Sequence, residues 1–100
     1  MTKLDFTLER IREKYSYLSH EYGVGNIGIF GSVAEGIEHE DSDVDVVVEF
    51  TRPIGLQFID FVGYLEDILG AKVDVLTEEG TKNIRNKKIA DNIRRNIVYI

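Results

Sequence analysis

The chain has no cysteine, which excludes a disulfide framework and a thiolate zinc site and gives no sign of an oxidising compartment. Proline is nearly absent, Pro53 being the single case. No Pro/Ser-rich linker, internal repeat or low-complexity stretch interrupts the chain. No apolar run approaches the ~18–20 residues of a membrane span, and the polar start Met1 to Asp5 (MTKLD) does not read as a signal peptide. A soluble cytoplasmic protein without membrane contact is expected. Basic residues are outnumbered, with twelve Lys+Arg against eighteen Asp+Glu and a net charge of −6. A direct nucleic-acid binder needs a basic face to displace counterions from phosphates, so that class is disfavoured. A small nucleotide held through a metal is not.

What remains is ordinary domain-forming material. At 100 residues and 43% apolar content, the chain buries roughly 60–68% of its unfolded surface. That suffices for one core, so a single domain over residues 1–100 is expected. Leu4, Leu8, Ile11, Tyr15 and Leu18 recur at steps of three and four, predicting an amphipathic helix over residues 4–21. Thr2 or Asp5 would cap it, and Gly23 with Gly25 would end it. Residues 26–30 (NIGIF) read as a buried strand, 37–42 as a polar loop, and 43–50 (DVDVVVEF) as a strand with Val44, Val46, Val48 and Phe50 on one face. A helix over about 55–69 follows, with a stripe of Phe58, Val62, Leu65 and Leu69 and Gly70 as its stop. Residues 71–77 form another strand, 78–95 a charged helix, and 98–100 an edge strand. The alternation predicts an α/β (α+β) fold with a partly parallel or mixed β-sheet flanked by helices.

The chemistry concentrates on aspartates. Asp43 and Asp45 lie two apart in a strand, so both leave the same face, while the valines between and after them point to the core. Any one of these acids alone fits a solvated strand end, but strand interiors are depleted in Asp, and two neighbouring carboxylates repel. A hard divalent cation relieves that repulsion, and Mg²⁺ in particular bridges carboxylates to phosphates. Asp74 repeats the acid-between-valines parity in the next strand. If the two strands are neighbours, three carboxylates share one face, as a two-metal phosphoryl site requires. Upstream, Gly31 and Ser32 close a strand and open the turn SVAEG, where backbone amides and a helix dipole favour a phosphate. The plain alternative is a strand-to-helix turn with Ser32 as N-cap and Glu35 as its capping-box partner.

Gly31-Ser32, ten residues, then Asp43-Val44-Asp45 within the run from Ser42 to Phe50 resembles the signature of the polymerase-beta-like nucleotidyltransferase superfamily. The short chain resembles its minimal branch, the MntA-like antitoxins, over roughly residues 20–100. The resemblance implies that Gly31, Ser32 and Ser42 bind the nucleotide. It implies that Asp43, Asp45 and Asp74 are catalytic and hold Mg²⁺, two ions in all, with Asp74 activating the acceptor hydroxyl. It further implies transfer of AMP from ATP to a tyrosine of a HEPN-domain toxin. A non-catalytic antitoxin that neutralises by forming a complex is the competing expectation. In one place the chain departs from the branch, which commonly carries Arg in a GSxARG run where Glu35 stands here.

Three other features carry weaker expectations. Lys82, Arg85, Lys87, Lys88, Arg94 and Arg95 hold half of the basic residues and read as a solvated helix face or a docking face for an acidic partner. His20 and His39 have no second ligand at metal spacing. Tyr15, Tyr17 and Tyr22 read as half-buried packing or as part of a protein interface.

Overall fold

The structure, a computed structural model, describes residues 2–37, 43–77 and 97–100. Ser42, His39, the expected helix over 78–95 and its basic residues lie outside the described residues. The first helix, α1 (Lys3–Tyr22), starts on a reciprocal capping box. The Thr2 hydroxyl accepts from the Asp5 amide at 3.0 Å, and the Asp5 carboxylate accepts from the Thr2 amide at 3.3 Å, so both candidate caps act together. Gly23 ends α1 at φ 70°, a left-handed conformation that glycine adopts without the Cβ penalty. Strand β1 (Val24–Phe30) begins two residues before the expected start. It leads directly into a short helix, α2 (Gly31–Glu35).

Strand β2 (Val44–Phe50) leaves Asp43 just outside its first residue. Helix α3 (Gln57–Leu69) returns the chain to β3 (Val73–Thr77), and β4 (Val98–Tyr99) closes the described elements. The sheet order is β3-β2-β1-β4. Strand β1 is antiparallel to both β2 and β4, whereas β2 and β3 are parallel. The expected mixed sheet is therefore present, with β2-α3-β3 as its crossover unit.

Both long helices pack on one sheet face. Ile11 and Leu18 of α1, Phe61 and Leu65 of α3, and Ile27, Ile29, Val44, Val46 and Val48 of the sheet are fully buried in one cluster. The Arg10 side chain of α1 donates to the Ile68 carbonyl at 3.1 Å, joining the first helix to the last turn of α3. The α3 stripe differs from the expected one. Its buried residues are Phe61, Leu65 and Leu69, with Phe58 and Val62 at the margin. Phe61 meets Phe50 and Tyr22 edge-on, with centroids 5.3 and 5.5 Å apart, and these tertiary contacts set the helix's rotation. Strand β2 also buries Val47, which points to the opposite face.

Candidate active site

Strand register decides whether the three aspartates meet. In the parallel β2–β3 pair, Asp45 lies directly opposite Asp74, flanked by the pairs Val44–Val73 and Val46–Val75. Cross-strand partners sit about 4.8 Å apart along the hydrogen-bonding direction and point to the same face. That face is the one opposite the helices, because Val44, Val46 and Val73 enter the core. Asp43 precedes the strand by one residue and has the parity of Asp45. The Val44 amide donates to the Lys72 carbonyl at 2.9 Å, holding the entry of β3 against the start of β2.

On its other side Asp45 faces Phe30, the last residue of β1, so Gly31 arrives beside the same carboxylate. Gly31 has φ 71°, and a Cβ added there would collide with Asp45 Oδ2. Glycine thus serves two needs at this position: a left-handed backbone and room for a carboxylate. Ser32 is partly buried in α2, and Val33 anchors that helix in the core.

The electrostatics follow from this placement. The Asp45 carboxyl is pushed above its ordinary value, first by burial, then by the charges of Asp74 and Asp43. Asp43 and Asp74 are exposed while Asp45 is half-buried, so the group that loses most hydration also has two anionic neighbours. Among the described residues, no three His, Cys, Asp or Glu side chains stand close enough together to hold a metal ion. In kind, however, the donor set is all carboxylate oxygen, which suits a hard cation such as Mg²⁺, and a cation would relieve the repulsion that raises Asp45.

The N-terminus of α2 corrects one expectation. Its N-cap is Phe30, with no side-chain hydrogen bond. Ser32 lies inside the helix, and no Ser32–Glu35 capping box forms. Glu35 is exposed. Gly31, Ser32, Asp45 and Asp74 are thus brought to one end of the sheet, with Asp43 beside them, and Ser42 lies outside the described residues.

Sequence reasoning passed over Lys72. It is exposed, shares the parity of Asp74, and precedes by one residue the Val73 that pairs with Val44. The signal was available, since a lysine two residues before a strand aspartate shares its face. The tyrosines lie elsewhere: Tyr15 donates to the Gly25 carbonyl at 2.5 Å, and Tyr22 is buried. His20 is exposed at the end of α1.

Comparison with known proteins follows the same outline. Residues 8–100 match the family model described as a nucleotidyltransferase domain. The protein adenylyltransferase MntA of Thermococcus cleftensis is 40% identical over 84 residues, covering 83% of this chain and 81% of that protein. A solved structure, provisionally assigned as a minimal nucleotidyltransferase, is 31% identical with a TM-score of 0.71, covering 98% of this chain and 95% of that one. A crystal structure titled as a toxin-antitoxin with AMP-PNP reaches a TM-score of 0.63 at 18% identity, over 87% of this chain and 69% of that one, and shares the fold. Among the described residues, no helix is long and apolar enough to cross a membrane.

Proposed function

The chain belongs to the nucleotidyltransferase domain family, and on that premise we propose that it is a protein adenylyltransferase that moves AMP from ATP to a tyrosine hydroxyl of a HEPN-domain toxin, as an antitoxin in the cytoplasm. The observation that carries this reading is the Asp45–Asp74 register beside Gly31. Asp43, Asp45 and Asp74 would hold Mg²⁺, and Gly31, Ser32 and Ser42 would bind the nucleotide. When bound, Mg²⁺ neutralises phosphate charge and the mutual repulsion of its ligands.

The remaining chemistry belongs to the chain. The first amides of α2 are donors for the triphosphate, and Gly31 admits it by leaving no side chain in the way. The acceptor hydroxyl attacks the α-phosphorus, the new O–P bond forms as the bond to the bridging oxygen breaks, and pyrophosphate leaves. The hydroxyl proton passes to the carboxylate of Asp74. Positioning and charge neutralisation carry the rate. A protein acceptor agrees with the name of the Thermococcus relative.

The competing reading is neutralisation by complex formation alone. Glu35 favours it, because an acid at the family's usual arginine position does not attract a triphosphate. Labelled ATP, Mg²⁺ and a HEPN-domain protein offered as acceptor separate the two. The wild type should transfer label, and Asp43→Asn and Asp45→Asn should each lower transfer on the order of 10³-fold or more, given what loss of one transition-state partner typically costs. Near-full transfer by either variant removes the metal assignment. Toxin neutralisation that survives both variants supports occlusion.

A further inference from the structure

The outer face of α3 carries features that the core and the carboxylate site leave unused. Phe61, Leu65 and Leu69 define its buried side, so Leu56, Asp60, Gly63 and Asp67 lie on the opposite side, with Ile59 at its edge. Leu56 is 86% exposed and Ile59 is 70% exposed, the two most exposed large apolar side chains among the described residues. Gly63 lies one turn beyond Ile59, and a Cβ added there would meet nothing within 4 Å. A glycine inside a helix weakens it relative to alanine, and here no packing neighbour requires one. Its effect is a notch in the helix surface beside two exposed apolar side chains, where another backbone can approach closely.

The charges narrow the occupant. Helix α3 contains Asp60, Glu66 and Asp67 and no basic residue. Glu66 is engaged with the Val73 amide at 3.3 Å. Asp60 and Asp67 are exposed, and the ion pair found among the described residues joins Arg10 to Glu13 on α1 instead. A second copy packed face to face would set Asp60 and Asp67 against their own images, so self-association is disfavoured. An anionic lipid surface is repelled for the same reason. The complementary occupant is a protein segment with apolar side chains flanked by Lys or Arg.

The face also leads to the site. Leu56 to Asp67 spans about 16 Å at 1.5 Å per residue, and α3 ends at Gly70, four residues before Asp74. A segment lying along α3 therefore runs toward the end of the sheet where the carboxylates stand, on the sheet face away from them, so that a partner must wrap that end to present its acceptor. We infer that the outer face of α3, centred on Leu56, Ile59 and Gly63, is the docking surface for the acceptor protein, which it engages through a basic-flanked apolar segment. This rests on the adenylyltransferase reading for the identity of the acceptor, but not for the existence of the contact.

The test measures binding and transfer separately. A HEPN-domain protein, used as the candidate acceptor, is titrated by calorimetry, without ATP, at low and high salt. The partners are the wild type, Ile59→Lys, Gly63→Gln, Asp60→Lys/Asp67→Lys, and Glu9→Lys on the exposed side of α1 as a charge control. Each of the three α3 variants should weaken binding ten-fold or more, Glu9→Lys should not, and the aspartate pair should lose its effect at high salt. Gly63→Gln should raise the melting temperature while weakening binding, a combination that a structural role alone does not produce. Equal binding by the α3 variants, or no binding by the wild type, overturns the inference. Binding that depends on α3 but yields no AMP transfer sustains the docking surface and removes the adenylyltransferase reading. Transfer that is indifferent to all three α3 variants does the reverse.

Discussion

At one end of the sheet Tyr22, Phe61, Tyr64 and Phe50 interlock, with ring centroids 5.3–6.3 Å apart along the chain of contacts. The end of α1 is tied down there: the Thr51 amide donates to the Gly23 carbonyl at 2.7 Å, and the Arg52 guanidinium donates to the Glu21 carbonyl at 2.8 Å. At the other end, Asp74 and Asp43 bear on the half-buried Asp45, and the N-cap of α2 is Phe30, whose side chain makes no capping hydrogen bond. Apolar area and satisfied polar groups gather at the first end, and like charges at the second. The contrast is what a binding site built on a small scaffold entails, since groups arranged for a ligand are strained without it. Each end can be broken selectively, and the two should fail in different ways.

The largest effect on stability belongs to the aromatic end. Phe61 is fully buried and touches both Phe50 and Tyr22, so Phe61→Ala should cost about 3–5 kcal/mol. With about 4–8 °C per kcal/mol for a domain of this size, its melting temperature should drop by more than about 12 °C. A thermal melt followed by circular dichroism reads it directly. A small drop would mean that the aromatic cluster is not what holds α3 to the sheet.

Gly31→Ala lies between the two ends in size and kind. The left-handed backbone alone costs about 1–2 kcal/mol for a residue with a Cβ, and that Cβ would displace the Asp45 carboxylate. The expected outcome is a moderate drop in melting temperature with a disproportionate loss of AMP transfer. Transfer that falls only in step with folded protein would show that Asp45 tolerates displacement.

Sequence legibility divides along the same line. The parity of Asp43, Asp45 and Asp74 follows from two-residue periodicity, a local property, and so does the stop at Gly70. That β2 and β3 are parallel neighbours with Asp45 facing Asp74 is a long-range fact, which the sequence offered only as a condition. The α3 stripe was misplaced because Phe58 and Phe61 are equally apolar and one turn apart. Phe50 touches both but lies nearer Phe61, and Tyr22, far along the chain, meets Phe61. The Ser32–Glu35 capping box satisfied the local pattern and still did not form, because the chain enters α2 directly from β1 with Phe30 as the cap. The exposure of Leu56 and Ile59 had no signature at all, since an apolar residue near a helix start reads the same buried or exposed.

The smallest predicted effects are in pH, and they sharpen the contrast because both have the same sign in different windows. The folded Asp45 carboxyl titrates above its ordinary value, so from about pH 4, where the unfolded carboxyl ionises, the folded state binds more protons than the unfolded one. Stability therefore falls as pH rises through that window, until the folded carboxyl has ionised too. The Tyr22 phenol is also raised, chiefly by burial and then by Tyr17, Asp60 and Glu21, but its window opens only near pH 10. Melts of the metal-free protein should thus show the advantage of Asp45→Asn over the wild type growing as pH rises from about 4, and that of Tyr22→Phe growing only above about pH 10. A flat difference for Asp45→Asn across the acid window would mean that neither burial nor the neighbouring carboxylates burden Asp45 in the folded protein. At neutral pH the carboxylate end would then be as relaxed as the aromatic one.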